Sequence, residues 1–262
     1  MISIVIPTYN SEKIIKELCT EIQNFISLDD EIIIVNDCSV DKTLDELSLL
    51  KKIFSNITVV NLTQNLGQVG ATLLGVKIAK GTRIITMDDD FQHHPKFIPS
   101  LIKELEVSDS EFIVAKWELD ETFTRNFGSL LFTFFSSILI LRKPNFRNTA
   151  YRVLDHKIKK EFLKFFTSRF WIDPRRLKIN THQIKVQHNN QTFRAYSSFK
   201  SRIILASKHL LLDSYLLQLI LILIYYKNIY LLTSILVFLT LFQYSIRSRV
   251  KERRQKTYKL FE

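Results

Sequence analysis

Cysteine is nearly absent: Cys19 and Cys38 are the only two among 262 residues. Two thiols are too few for a disulfide framework or a four-cysteine zinc site, and they point to a reducing compartment. Glycine and proline are scarce as well, at five each, which excludes collagen-like and low-complexity chains. The opening MISIVIPTYN has neither the basic start nor the long apolar stretch of a secretory signal, so this end is expected to stay in the cytoplasm. What is abundant is core-forming material: 46% of the residues are hydrophobic and 24% charged, the balance of a folded domain.

Acidic charge is also in short supply, leaving a formal net charge of +11. The excess is local. Between Arg247 and Lys259, the seven residues Arg247, Arg249, Lys251, Arg253, Arg254, Lys256 and Lys259 face one acid, Glu252, so this stretch supplies a net +6 of the +11. It follows the most apolar part of the chain and matches no nucleic-acid recognition motif, which favours anionic lipid headgroups and argues against a nucleic-acid partner.

Over the first two-thirds, short apolar runs alternate with amphipathic stretches. Ile2 to Ile6 is β-branched and too short for a helix, so it reads as a buried strand; further strands are expected at Glu31–Val35, Ile57–Leu62, Arg83–Met87 and Glu111–Ala115. Apolar residues recurring at three and four predict helices over Glu12–Ile26, with Asn10 or Ser11 as cap, and over about Lys42–Phe54, Val69–Ala79 and Pro95–Leu105. The alternation predicts an α/β fold with a largely parallel sheet, whose ligands sit beyond the carboxyl ends of the strands.

Leu210–Tyr226 and Ile229–Ile246 are two apolar runs broken by Lys227 and Asn228. Each is at the short end of a membrane span, where about 20 residues is usual. Lys200, Arg202 and Lys208 before them and the basic tail after them predict a membrane hairpin with both flanks cytoplasmic. Two core helices, or one helix lying in the membrane plane, are the alternatives. The expected organisation is an α/β domain over residues 1–200, the hairpin over 201–246 and a basic tail over 247–262.

Polar clusters stand at the strand ends. In Met87-Asp88-Asp89-Asp90-Phe91-Gln92-His93-His94-Pro95, an extended chain would send Asp88, Asp90 and Gln92 one way and Asp89 another. Such an oxygen set suits Mg²⁺ or Mn²⁺ shared with substrate phosphates; the alternative is an acidic turn capping the next helix. The adjacent His93 and His94 are expected outside the ligand set. Asn36 to Thr43 could equally be an Asx turn and helix cap, and Pro7 to Asn10 carries the same ambiguity. Asn65 to Gly75 is neither a Walker loop nor a GxGxxG fingerprint, and its small residues Gly67, Ala71 and Gly75 suggest close helix packing near a ligand.

In their order, IVIPTYN (Ile4–Asn10), NDCSVDKT (Asn36–Thr43), NLGQVGATLLG (Asn65–Gly75), MDDDFQHHP (Met87–Pro95) and the looser TAYRVLDHKI (Thr149–Ile158) resemble the motifs of family 2 glycosyltransferases of the GT-A fold. The polyprenyl- and dolichyl-phosphate sugar transferase branch is the most similar. The resemblance implies an inverting, metal-dependent enzyme that binds a UDP- or GDP-sugar through Pro7, Tyr9, Asn10, Asp37, Asn65, Gly67, Asp88 and Asp89. It further implies a Mg²⁺ or Mn²⁺ ion on Asp88, Asp90 and Gln92, with Asp90 and Arg152 as catalytic residues. Asn36 departs from the pattern, since the second motif usually opens with two acids. Arg194-Ala195-Tyr196-Ser197-Ser198-Phe199 lacks the glycine of a later motif.

Hydroxyl-acceptor relatives usually carry a Glu-Asp pair after the metal motif, and this chain has no Glu-Asp dipeptide; its nearest acids are Glu118, Asp120 and Glu121. A phosphate monoester, with a second pKa near 6, needs little help from a base. The resemblance and the hairpin therefore imply a polyprenyl phosphate acceptor, undecaprenyl or dolichyl, gripped by Arg152 with Arg125, Arg147 and Arg194 behind it. The Phe-rich stretch Phe123–Leu141 is either an interfacial helix or core packing. A transferase acting on a glycan hydroxyl and a non-catalytic binding module are the rival readings, and a homo-oligomer is left open.

Overall fold

Continuous β-branched runs make strands buried on both faces, as a parallel sheet covered by helices requires. The computed structural model describes residues 1–92, 94–118, 149–166 and 179–187. Strands β1 (Ile2–Thr8), β2 (Glu31–Asn36), β3 (Ile57–Asn61), β4 (Arg83–Thr86), β5 (Phe112–Glu118), β6 (Arg152–Asp155) and β7 (Thr181–Gln187) form one seven-stranded sheet in the order β3-β2-β1-β4-β6-β5-β7. The pairs β1–β2, β2–β3, β1–β4 and β5–β7 are parallel, while β6 runs against both β4 and β5. Helices α1 (Ile15–Gln23), α2 (Thr43–Ile53), α3 (Gly67–Ile78), α4 (Ile98–Val107) and α5 (Lys159–Phe166) flank it. All described residues fall within one compact unit.

The expected strands form, and the differences from expectation are local. Helix α1 does not begin at Glu12, and neither Asn10 nor Ser11 caps it with a side chain. Instead the Ser11 carbonyl accepts the N–H groups of Ile14 and Ile15, both at 3.0 Å, which leaves the Ser11 hydroxyl for another partner. The stretch from Pro95 opens as a 3₁₀ turn, Pro95–Phe97, and becomes helical at Ile98. Its cap is His94, whose Nδ1 accepts the Lys96 N–H at 3.2 Å, and not one of the preceding aspartates. Strand β6 lies inside the loosest sequence motif, where no strand was expected, because four residues carry too little periodicity to read.

The small-residue spacing in α3 has a direct steric cause. Ala71 is fully buried, and a Cβ added to Gly75 would stand 2.3 Å from Val5 Cγ1 and 3.3 Å from Val35 Cγ2. The helix backbone therefore lies directly on β1 and β2, which sets how far its first turn reaches beyond the sheet edge.

Among the described residues no helix is long and apolar enough to cross a membrane. The runs 210–226 and 229–246, the stretch 123–141, and Arg125, Arg147 and Arg194 lie outside the described residues. Gly75→Ala is expected to lower the free energy of unfolding by about 1–3 kcal/mol, as overpacking does. Val5→Ala in the same chain should recover part of that loss in urea denaturation; a loss that simply adds to the Val5→Ala penalty would refute the contact.

Candidate active site

Strands β1, β2 and β3 advance to one side of the sheet and β4 returns to the other side of β1, so the chain reverses its course between β1 and β4. Ligand crevices of α/β sheets form outside the carboxyl ends of strands at such a switch point. Three loops meet here, and each contains one non-glycine residue with left-handed backbone: Asn10 (φ 57°), Cys38 (φ 66°) and Phe91 (φ 57°). Backbone of this kind costs about 1 kcal/mol or more and persists where the surroundings over-determine it.

The surroundings are side-chain hydrogen bonds. The Asn10 N–H donates to Ser39 Oγ at 2.9 Å, and Asn10 Oδ1 accepts the Val40 N–H at 2.9 Å. The Ser11 N–H donates to Thr43 Oγ1 at 2.7 Å, and Glu12 Oε2 accepts the Lys42 N–H at 2.9 Å. Asp41 makes the Asx turn ahead of α2 by accepting the Thr43 N–H at 3.1 Å. Burial opposes ionisation of Asp41, but its bonds from Thr43 and Glu12 outweigh that and hold its carboxyl below the ordinary value. Pro7 is buried at the end of β1, while Tyr9 and Asn10 are exposed above it.

Asp37 has a structural task in this arrangement. Its Oδ1 accepts the Leu66 N–H at 2.6 Å and its Oδ2 the Gly67 N–H at 2.8 Å, so it anchors the start of α3, where Gly67 supplies φ 77°. Asn65 donates to the Asp37 carbonyl at 3.0 Å. Asn36, the departure from the family pattern, is buried and donates to Asn61 Oδ1 at 2.8 Å across the matched ends of β2 and β3. An amide serves there as both donor and acceptor, because Asn36 Oδ1 also takes the Ser39 hydroxyl.

The three aspartates part company. Asp88 Oδ1 accepts a hydrogen bond from the Gln68 side chain on α3. Burial, and then the neighbouring Asp89 charge, push the Asp88 carboxyl up to about 6, against the pull of Arg152 and of Gln68. Asp89 Oδ2 accepts the hydroxyls of Thr8, at 2.6 Å, and Ser11. Asp90 Oδ1 accepts the Gln92 N–H at 3.0 Å, closing a turn around Phe91. The chain past β4 is thus a turn where an extended segment was expected, although Asp89 does leave its neighbours. Arg152 is 8% exposed on β6, in register with Thr86 of β4 and Val114 of β5, and its positive charge acts on Asp88. Tyr151 beside it is buried and donates to the His94 carbonyl at 3.2 Å.

Gln68 and Thr8 were not singled out as site residues in the sequence, and Ser11 was read only as a helix cap. Gln68 stands in a recognised motif one residue after Gly67, which was the available signal; Thr8 and Ser11 flank the Tyr9-Asn10 pair, where Thr8 reads as an ordinary turn residue. His93, Asp120 and Glu121 lie outside the described residues.

Among the described residues no three His, Cys, Asp or Glu side chains gather into a metal-holding group. Asp88 and Asp90, the latter accepting the Gln92 N–H, are instead oxygen donors of the kind that a hard ion such as Mg²⁺ or Mn²⁺ takes, with one or two carboxylates and its other positions shared with phosphates and water. The raised Asp88 carboxyl agrees with this, since an incoming cation would relieve the repulsion from Asp89. In metal-free protein the Asp88 carboxyl carbon is expected to titrate by NMR near pH 6. Because the Arg152 cation favours the carboxylate, Arg152→Gln should move the midpoint up; because Asp89 opposes it, Asp89→Asn should move it down. A midpoint near 4 in the parent, or unmoved by both changes, would refute this account of the site.

The glycosyl transferase family 2 model matches residues 3–200. A dolichol-phosphate mannosyltransferase of Pyrococcus furiosus is 35% identical over 105 residues, 40% of this chain and 30% of that protein. A dodecaprenyl-phosphate galacturonate synthase of Rhizobium johnstonii is 33% identical over 117 residues, 43% of this chain and 35% of that protein. The chain thus spans about a third of the length of these relatives. In structure it is similar to the glucosyl-3-phosphoglycerate synthase of Mycobacterium tuberculosis, crystallised with Mn²⁺, UDP-glucose and phosphoglyceric acid, with a TM-score of 0.55, 16% identity, and coverage of 79% of this chain and 76% of that one. That likeness gives the architecture a GT-A-like fold, and with the model match over most of its length the chain belongs to glycosyl transferase family 2.

Proposed function

We propose that the chain transfers a sugar, with inversion, from a UDP- or GDP-sugar to a polyprenyl phosphate at the cytoplasmic face of a membrane. The observation that carries this reading is the Asp88 carboxyl at the switch-point edge, bonded by Gln68 and acted on by the buried cation of Arg152, with Asp90 two residues on. The two relatives named for lipid-phosphate substrates support the choice of acceptor.

A bound Mg²⁺ or Mn²⁺ on Asp88 and Asp90 would neutralise charge on the leaving diphosphate. The exposed Tyr9 and Asn10, on the buried Pro7, form the side of the crevice offered to the nucleotide, and Asn65 and Gly67 form the facing rim. Asp37 acts through its grip on Gly67. Arg152 offers the charge and the planar donors that a phosphate oxygen requires. An ionised phosphate monoester attacks the anomeric carbon without surrendering a proton first, so no protein base is needed. The apolar runs 210–226 and 229–246 and the basic tail would hold the chain at the lipid surface where this acceptor resides.

Full-length protein in detergent, given undecaprenyl phosphate, labelled nucleotide-sugars and Mg²⁺ or Mn²⁺, is expected to move label into the lipid phase. EDTA should abolish this, and Asp90→Asn should lower the rate by roughly 10²-fold or more. Nucleotide-sugar binding without transfer to the lipid would overturn the acceptor assignment in favour of a glycan hydroxyl.

A further inference from the structure

The backbone ladder between β1 and β4 ends where the Met87 N–H donates to the Val5 carbonyl at 3.1 Å. Beyond that point the two strands lead into different loops, one carrying Tyr9 and Asn10, the other Asp88 and Asp90. Asp89 carries the connection between them. A single oxygen, Oδ2, accepts both the Thr8 hydroxyl at 2.6 Å and the Ser11 hydroxyl. Thr8 and Ser11 bracket the Tyr9-Asn10 pair, so that pair is fastened at both ends to the middle residue of the aspartate run. Thr8 is 2% exposed, which shelters the bond from water. Asn10 is meanwhile held in left-handed backbone and tied to Ser39 on the other side.

We propose that Asp89 is a positioning residue, a latch that couples nucleotide binding at the β1 loop to metal binding at the β4 loop, and that it does so through the acceptor oxygen Oδ2 and not through its charge. This rests on the donor and metal reading of the preceding section and adds to it how the two ligands sense each other. A ligand that orders one loop then has less ordering to do for the second, because Asp89 joins them; such linkage is reciprocal. The single shared oxygen separates this role from direct ligation. An asparagine at 89 presents an amide oxygen able to take the same two hydroxyls while carrying no charge, whereas alanine presents nothing.

The test is equilibrium binding of UDP or GDP to the full chain, in EDTA and in Mn²⁺, with Mn²⁺ binding also measured alone. In the parent protein Mn²⁺ should tighten the nucleotide by about tenfold or more, within the usual range for coupled sites. Asp89→Asn should retain that enhancement. Asp89→Ala, and Thr8→Val with Ser11→Ala, should reduce it to about threefold or less, while in the Thr8→Val, Ser11→Ala variant nucleotide affinity in EDTA stays within about threefold of the parent. Ser11→Ala alone, which leaves the Thr8 bond, should fall between; it also guards against a double variant that fails to fold. Asp89→Asn losing the enhancement as fully as Asp89→Ala would overturn the latch in favour of a charge or ligand role. Enhancement intact in every variant, or affinity falling equally with and without Mn²⁺, would overturn it outright. A parent chain that binds neither nucleotide would instead overturn the donor reading, and is seen before any variant is made.

Discussion

The reversal of strand order between β1 and β4, which run parallel, is the constraint on which the rest of the site depends. Parallel strands deliver their carboxyl ends to one edge, but neighbouring strands normally send their connections the same way and leave little space between them. Here β1 hands its loop toward β2 and α1 while β4, hydrogen-bonded on its other side, leads toward α4. The crevice that opens between them is where Thr8, Ser11 and the three aspartates stand. The antiparallel insertion of β6 beside β4 then brings Arg152 to the same edge from a distant part of the chain, so one cation meets a carboxyl that burial keeps from ionising easily.

Packing under the edge and polar lacing across it act in sequence. With no side chain at Gly75, α3 rests on Val5 and Val35, and its first turn comes within reach of Asp37 and Asp88. Asp37 holds the backbone of that turn, and Gln68 from the same turn reaches Asp88. Each such hydrogen bond contributes about 1 kcal/mol net, comparable with the cost of one left-handed residue. The three strained loops are therefore sustained by the lacing as a group, which limits how much ordering of the nucleotide and metal loops is left to a ligand.

Much of this was legible in the amino-acid order. Ile2–Ile6 and Glu31–Val35 are strands because nothing but a doubly covered parallel sheet buries such runs, and the polar clusters that follow them had to fall at the carboxyl edge. The motif also singled out Asp88 and Asp90, which the proposed metal site takes as its oxygen donors. What escaped was whatever depends on two distant segments at once. Ser11 looks like a helix cap, yet its hydroxyl goes to a residue 78 positions away. Asp37 looks like a ligand or a cap for its own helix, yet it anchors the start of α3. His94 displaced the aspartates as cap because its ring nitrogen lies next to the turn while Asp89 and Asp90 were already engaged. Local propensity carries no information about such claims on a side chain, since the competing partner is set by topology.

The way the loops are tied has a consequence for how the molecule breathes. The N–H groups of Asn10, Ser11, Val40, Lys42, Leu66 and Gly67 are all held by side-chain oxygens, outside any strand ladder. Amide hydrogens in such positions exchange with solvent when their own small neighbourhood opens, independently of the sheet beneath. Since these acceptors belong to interlocked loops, the six amides form one cooperative unit that loosens or tightens together, and their joint exchange rate gauges the integrity of the crevice separately from the stability of the whole protein.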